Sequence, residues 1–423
     1  MCENTTINSA EIAFINLLNI LHKESKHPKT QTGVITAVIN GNQVPKNKSI
    51  PFNKPSLTGR EINYIKKVFK NGQVAGNGEF TKRAQEFFTM KYDFQKAMLT
   101  TTCTHGLEMA GLLMNIQPGD EVIMPSFTFV STANAFLLRG ARIIFTDSNS
   151  RNPNLDPGPL ESLITERTRV IVPVHYGGIS CEMDPIIELA KKYSLFVVED
   201  AAQAINSTYK GKPLGSFGHI SAFSFHETKN ISAGEGGMLV INDPQFNRRA
   251  EIIWEKGTNR SDFLTGKLKK YDWIDIGSTF YPSEITAAIL MAQLEKLEII
   301  QARRKHLWNL YYELLLDLEK NGMARLPHIP EYSSNNAHIF YIVLKDTNLR
   351  SRLISELQKK GIHSVFHFQS LHKSEFYQHR HDGRELPWSD TYSDCLLRLP
   401  LYYSLNKREI FRICREIKRI LHI

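Results

Sequence analysis

The sequence predicts an α/β protein, with a large domain built on a mainly parallel sheet and a smaller α+β domain at the C-terminus. Short apolar runs at 122–124, 142–145, 170–174 and 195–198 alternate with stretches of helical periodicity such as 58–70 and 81–91. Runs this short and this continuously apolar suit strands covered on both faces, the usual setting of a parallel sheet. At 423 residues the chain also exceeds what one core usually supports, so a second domain is expected.

Residues 1–49 stand apart from this pattern. Ile12, Ile15, Leu18 and Leu21 recur at helical spacing with Phe14 and Leu17 alongside, and 23–48 is mostly polar apart from Val34-Ile35 and Val38-Ile39. A short helix followed by a linker is expected. Glu3 and Glu11 precede the apolar run and no Lys or Arg does, so it lacks the start of a signal peptide; it is also too short and too interrupted by Asn to span a bilayer. No methionine lies between Met1 and Met90, so the extension is expected to be translated. The large domain is assigned to 50–300 and the small one to 301–423. A helical stretch from Glu284 to about Leu316, carrying Ala287, Ala288, Leu290, Met291, Leu294 and Leu297, leads from one to the other.

Hydrophobic content of 42% and charged content of 22% are those of a soluble globular protein. The net charge of +9 comes from Lys and Arg spread along the chain without a recognition motif, which argues against a nucleic-acid partner. A basic surface also suits a substrate that carries a pyrophosphate. Cys2, Cys103, Cys181, Cys395 and Cys414 are scattered and without CxxC spacing, so neither a disulfide framework nor a zinc site is expected, and a reducing cytoplasm fits.

Two passages carry chemistry. Val197-Val198-Glu199-Asp200-Ala201-Ala202-Gln203 is an apolar run ending in an acid, as where a buried strand delivers a carboxylate to the carboxyl edge of a sheet. Phe223-Ser224-Phe225-His226-Glu227-Thr228-Lys229-Asn230 ends in a lysine beside the small-residue loop 232–237. An aldehyde cofactor such as pyridoxal 5'-phosphate needs an amine to bond its aldehyde carbon, an anion to keep its ring nitrogen protonated, and donors for its phosphate. Lys229, Asp200 and Ser224 meet those needs in that order. Packing by Phe223, Phe225 and the glycines around Glu235 would desolvate the lysine and lower its pKa, and once displaced the amine could shuttle a proton. Asp200 could alternatively cap a helix beginning at Ala201. Small hydroxyl residues at 100–104 run into 107–113, like a helix N-terminus that holds an anion, which makes Cys103 and Thr104 phosphate candidates. Phe129 is the candidate to stack on the cofactor ring, with Phe127 as its rival. His175 ends an apolar strand, where ligands of such sheets bind; a satisfied structural histidine is the equal alternative.

These passages resemble the DegT/DnrJ/StrS family of nucleotide-sugar aminotransferases. The matching motifs are Glu-Asp-Ala-Ala-Gln, Phe-Ser-Phe-His-Glu-Thr-Lys-Asn and Glu-Gly-Gly, with Lys229 following Asp200 by 29 residues. The resemblance runs from about Ile50 to the C-terminus. Residues 118–134, 172–178, 255–260 and 396–401 are similar to the subgroup that forms dTDP-4-amino-4,6-dideoxygalactose for enterobacterial common antigen. It implies the aspartate-aminotransferase fold, called fold type I, in a homodimer, and amino transfer from glutamate to C4 of a nucleotide-linked 4-keto-6-deoxyhexose. It also implies that Gln203 contacts the cofactor's phenolic oxygen. Asn259 and Arg260 become candidates for substrate phosphate or carboxylate. Cys103 departs from the glycine usual in the broader family while matching the subgroup. Thr279, in Gly277-Ser278-Thr279, stands where many members carry an asparagine that reaches the neighbouring subunit's cofactor phosphate. Related dehydratases carry histidine in place of Lys229, so the lysine argues for transamination. A non-catalytic relative, or a transaminase for another keto-sugar nucleotide, is the alternative.

Overall fold

The computed structural model describes residues 49–422, so the expected N-terminal helix and linker lie outside the described residues. Helices α1 (Glu61–Asn71) and α2 (Glu79–Tyr92) lead into strand β1 (Lys96–Thr100). Next come α3 (Cys103–Leu113), β2 (Glu121–Pro125), α4 (Val130–Leu137), β3 (Arg142–Thr146), β4 (Thr168–Ile171), α5 (Met183–Lys192) and β5 (Phe196–Asp200). A small hairpin of β6 (Thr208–Tyr209) and β7 (Lys212–Pro213) precedes β8 (Ile220–Ser224) and β9 (Gly237–Ile241). The large sheet has seven strands in the order β1-β9-β8-β5-β4-β2-β3. Only β9 runs against the others, pairing antiparallel with both β1 and β8. The expected mainly parallel sheet is therefore present. The apolar run at 170–174 leaves the ladder after Ile171 because Pro173 has no N–H to offer, and Val174 rejoins only by a bridge to Asp200.

Strand side chains alternate between two cores on opposite faces of this sheet. Ile123, Ile171, Val197, Met238 and Val240 enter one; Val122, Val170, Val198, Leu239 and Ile241 enter the other. Helices α6 (Asn247–Trp254) and α7 (Arg260–Leu264) follow β9. The helical stretch expected over 284–316 is two helices, α8 (Glu284–Leu294) and α9 (Leu297–Lys320), broken at Glu295, whose carboxylate takes Arg60, Arg83 and the Tyr64 hydroxyl. In α8 small Ala287, Ala288 and Ala292 are buried among Leu290, Met291 and Leu294, so α1 and α2 pack closely against it.

The C-terminal part holds β10 (Ala324–Arg325), β11 (Phe340–Leu344), α10 (Thr347–Lys359), α11 (Pro387–Cys395), β12 (Leu396–Leu399) and α12 (Lys407–Leu421). Its three strands form an antiparallel sheet in the order β10-β11-β12, with a core of its own. Ile50, though at the other end of the chain, lies in that core and bridges to Ile362. Cys103, Cys181, Cys395 and Cys414 are free and buried; Cys2 lies outside the described residues. Among the described residues no helix is long and apolar enough to cross a membrane.

A buried acid joins the first helices to the rest. Glu284 accepts hydrogen bonds from the N–H groups of Gly78 (2.9 Å), Phe80 (2.7 Å) and Thr81 (3.0 Å) and from the Thr81 hydroxyl, capping α2 from a residue more than 200 positions away. Glu284→Gln would remove the charge and turn an amide donor toward those donors. We expect it to lower unfolding stability by about 2–4 kcal/mol in chemical denaturation.

Candidate active site

The carboxyl ends of β5 and β8 open onto a cavity of about 580 Å³. Neighbouring acids on β5 face opposite ways, as strand alternation requires. Asp200 lines the cavity; its Oδ2 accepts from the Thr132 hydroxyl (2.6 Å) and its Oδ1 from Ala202 N–H (3.1 Å). Turns rather than a helix follow it, so the helix-cap alternative does not apply. Glu199 points away and accepts from the N–H groups of Gly215, Phe217 and Gly218 at 2.6–2.8 Å and from His175 Nε2 at 2.9 Å.

Lys229 hangs into the cavity from a turn after β8, closed by its own N–H on His226 O (2.9 Å). Phe225 ties that turn to the glycine loop in both directions, donating to Gly236 O and accepting from Ala233 N–H (2.8 Å each). The next residue anchors the other side. Asn230 Nδ2 donates to Gln301 Oε1 on α9 and to Asn336 O (2.8 Å each), so its Oδ1 is the acceptor for His338 Nδ1 (2.9 Å). Burial pulls the Lys229 ammonium below its usual pKa; Cys103 and Asp200 oppose the shift and Arg398 adds to it.

At the facing wall, α3 begins with Thr102 as its cap, the hydroxyl accepting His105 N–H (3.1 Å). The first N–H groups of a helix have no partner within it, so those of Cys103 and Thr104 are available to an anion in the cavity that both residues line. Ser224, at the end of β8, lines it too. Burial pushes the Cys103 thiol well above its usual pKa, so it stays neutral. Gly237 makes the close approach possible: a Cβ there would lie 2.3 Å from Thr102 C and 2.4 Å from Cys103 N.

Gln203 lines the cavity, and its Oε1 accepts Gly177 N–H (2.8 Å), which leaves the donor end of the amide for a ligand oxygen. Phe129 lines it with 56% of its surface exposed, whereas Phe127 is buried against Tyr176 and Tyr392. The ring of Phe368 lies 6.0 Å from Phe129 and stacks on His367 at 3.6 Å.

Three expected contacts are placed elsewhere. His175 is fully buried with both ring nitrogens in use: Nδ1 accepts Cys181 N–H (3.2 Å) and Nε2 donates to Glu199. It supports the sheet edge and presents nothing to the cavity. Asn259 accepts Asp272 N–H (2.6 Å) and Arg260 pairs with Glu255 (2.9 Å), both on the 255–281 segment outside this cavity, together with exposed Thr279. Conversely, His367, Phe368 and Arg398 line the cavity without having been singled out in the sequence. The available signal was a lone arginine inside the apolar run 396–401.

The amine, the acid, the helix N-terminus and the amide donor fit pyridoxal 5'-phosphate group by group. On a sheet of this topology they define a pyridoxal 5'-phosphate-dependent enzyme of fold type I. The chain belongs to the DegT/DnrJ/EryC1/StrS aminotransferase family, whose model matches residues 55–418. It is 31% identical to an uncharacterized protein, MJ1066, of Methanocaldococcus jannaschii over 88% of this chain and 97% of that one. A putative sugar aminotransferase of Streptococcus pneumoniae, solved in its PLP form, superposes with a TM-score of 0.81 at 25% identity, covering 89% of this chain and 99% of its own. Helicobacter pylori PseC, an aminotransferase involved in the biosynthesis of pseudoaminic acid, gives 0.81 at 25% identity over 89% of this chain and its whole length. The protein is thus a sugar aminotransferase that uses pyridoxal 5'-phosphate.

Gly237→Ala should displace the first turn of α3. Overpacking of about 1–3 kcal/mol at that contact predicts roughly 10-fold or greater weakening of cofactor binding, read by absorbance titration of the apoprotein.

Proposed function

We propose that this aminotransferase moves an amino group from glutamate to C4 of a dTDP-linked 4-keto-6-deoxyhexose, giving dTDP-4-amino-4,6-dideoxygalactose for a surface polysaccharide such as enterobacterial common antigen. The observation that carries the chemistry is the desolvated Lys229 in one cavity with Asp200. The choice of sugar is supported by the similarity of 118–134, 172–178, 255–260 and 396–401 to that subgroup. Sugar aminotransferases serve more than one pathway, as the pseudoaminic acid enzyme illustrates, so another keto-sugar nucleotide is the second reading.

When bound, pyridoxal 5'-phosphate supplies the aldehyde that carries the amino group between the substrates and a ring that takes up charge from the carbon losing its proton. Lys229 would hold it and, when free, would move a proton at the amine-bearing carbon; desolvation keeps more of that amine neutral and so able to accept the proton. Asp200, oriented by Thr132 and Ala202 N–H, keeps a proton on the ring nitrogen. Cys103, Thr104 and Ser224 would hold the phosphate, Gln203 would donate to the phenolic oxygen, and Phe129 would shield the ring from water.

A cytoplasmic homodimer completes this reading. The segment bearing Asn259, Arg260 and Thr279 also exposes Leu264, Tyr271, Ile276 and Trp273, the last by 77%. Exposed apolar side chains gathered on one segment suit contact with a second copy of the chain, which would carry those polar residues to the neighbouring site. The buried free thiols suit a reducing compartment.

Incubation with cofactor, glutamate and a panel of keto-sugar nucleotides, followed by determination of product stereochemistry, tests the reaction. Lys229→Ala should abolish turnover and the absorbance of the lysine-bound cofactor; borohydride reduction and peptide mapping of the wild type should place the cofactor on Lys229, and its appearance on another lysine refutes the assignment. Asp200→Asn should slow proton transfer by orders of magnitude in single-turnover kinetics while weakening cofactor binding only modestly.

A further inference from the structure

Outside the cavity, a buried histidine joins two of the segments that wall it. Leu371 N–H donates to Ser126 O (3.0 Å) and His372 N–H to Ser126 Oγ (3.2 Å), while the His372 ring nitrogen Nδ1 lies 2.7 Å from the same Oγ. Both side chains are buried. The Ser126 hydroxyl proton goes to Nδ1, because with the reverse assignment it would have no acceptor among the described residues. The ring proton is then on Nε2, turned toward Asp390 Oδ1 at 3.6 Å, beyond hydrogen-bond reach. The ring also borders a second cleft, of about 460 Å³, lined by Lys373, His381, Arg384, Glu385 and Asp390. One side chain thus has an inner nitrogen locked in the core and an outer nitrogen facing an acid that lines a surface cleft.

Both partners of that pin lead to the cofactor site. Ser126 begins the segment that joins β2 to α4, and its O also accepts Thr128 N–H (3.1 Å). The Thr128 hydroxyl meets that of Thr132 (3.0 Å), which holds Asp200 Oδ2, and Phe129 lies between them in sequence. His372 closes the stretch that begins with His367 and Phe368, and the Phe368 ring lies 6.0 Å from Phe129 and 5.6 Å from Phe127. Burial holds the His372 ring below its usual pKa; Asp390 and Asp147 oppose the shift, and His381 and Lys373 add to it. Those neighbours have partners of their own. Asp390 pairs with Lys373 (2.6 Å), Asp147 accepts the N–H groups of Trp388 and Ser389, and His381 Nε2 donates to Arg384 O (2.8 Å).

We propose that His372 is a positioning residue for amino transfer: as a neutral ring it pins Ser126, and through the 126–132 segment it sets Phe129 over the cofactor and Thr132 against Asp200. Protonation converts Nδ1 from acceptor to donor, leaves two protons contending for one space beside the Ser126 oxygen, and releases the pin. The fold favours the neutral ring, so the contribution of His372 is complete above the ordinary histidine range and is lost as pH falls below it. Cofactor affinity weakens on the acid side through a group that lies outside the cavity. This rests on the reading of Phe129 as the residue that shields the cofactor ring.

The test titrates the full-length apoprotein with pyridoxal 5'-phosphate between about pH 7.5 and 5.5, following absorbance and the visible circular dichroism of the bound cofactor, which reports how its ring is held. Asparagine places an amide oxygen where Nδ1 stands and does not titrate. His372→Asn should match wild type at the upper pH and lose several-fold less affinity at the lower one. His372→Leu and Ser126→Ala should each weaken binding roughly 3- to 10-fold at the upper pH and reduce the dichroism per bound cofactor, and the double variant should be no worse than either alone. A pin that merely stabilises the fold would lower thermal stability in these variants but leave the dichroism unchanged and give wild type and His372→Asn the same pH dependence. That result overturns the proposal, as does additive loss in the double variant. Should His372→Leu and Ser126→Ala not fold, the pH comparison of wild type with His372→Asn decides alone. Phe129→Leu is titrated beside them. If it alters neither affinity nor dichroism, the shielding role of Phe129 fails and the proposal with it; if it alters both while His372→Leu is silent, the pin is refuted and the shielding role stands.

Discussion

Two cations, Lys229 and Arg398, line one largely desolvated cavity without a salt bridge to either among the described residues, and much of the surrounding structure can be understood as what that demands. Burying an unpaired charge is costly, and the protein meets the cost with fixed dipoles and one acid held short of a direct ion pair. Asp200 is the strand-borne acid, and it is held by Thr132 and a backbone N–H so that its charge remains directed into the site. The other strand acid, Glu199, is turned to the far side and satisfied there by three backbone donors and His175. His338 and His367 are pushed well below their usual pKa by burial and by the same cations, so they add no further positive charge. A cavity arranged in this way favours anionic and electron-rich ligands before any specific contact is made.

Such a site is only as good as the rigidity of the turn that carries its amine. Lys229 sits between Phe225, bonded twice to the glycine loop, and Asn230, whose amide uses both of its ends. Asn336 extends that anchor, donating from Nδ2 to Gln203 O and Ile205 O (2.7 and 2.9 Å). The lysine turn, the chain after Asp200, helix α9 and the start of β11 therefore share one buried hydrogen-bond network, in which a loose member would be felt by all.

Much of this was legible in the sequence, and the exceptions have physical causes. Continuous apolar runs revealed four strands of the parallel sheet, because burial on both faces leaves little room for anything else. The break between α8 and α9 was hidden, since no proline or glycine marks it and the apolar spacing continues through it. Asp200, Lys229 and the helix start at Cys103 could be read because each combines a residue type with a position at an element's end. His175 has such a position too, but one-residue alternation along an edge decides whether a side chain meets ligand or core, and sequence gives only the address. Arg398 was obscure for the opposite reason. Its significance lies in having no ion-paired acid among the described residues, a property of the assembled structure that its apolar neighbours in β12 only hint at.

The bridge between Ile50 and Ile362 has a consequence for how the chain comes to be folded. Ile50 N–H donates to Gly361 O and Ile50 O accepts from His363 N–H, while its side chain fills the C-terminal core. On a ribosome, the first described residues must wait for nearly the whole chain before this place exists. Closure between such distant points is entropically late, so the large sheet can form while the second core still lacks its first member. Phe52 and Asn53, which reach Arg398 and Glu227 O, arrive only with that closure. The wall that Phe52 supplies beside Arg398 is thereby expected to close only after the large sheet has formed.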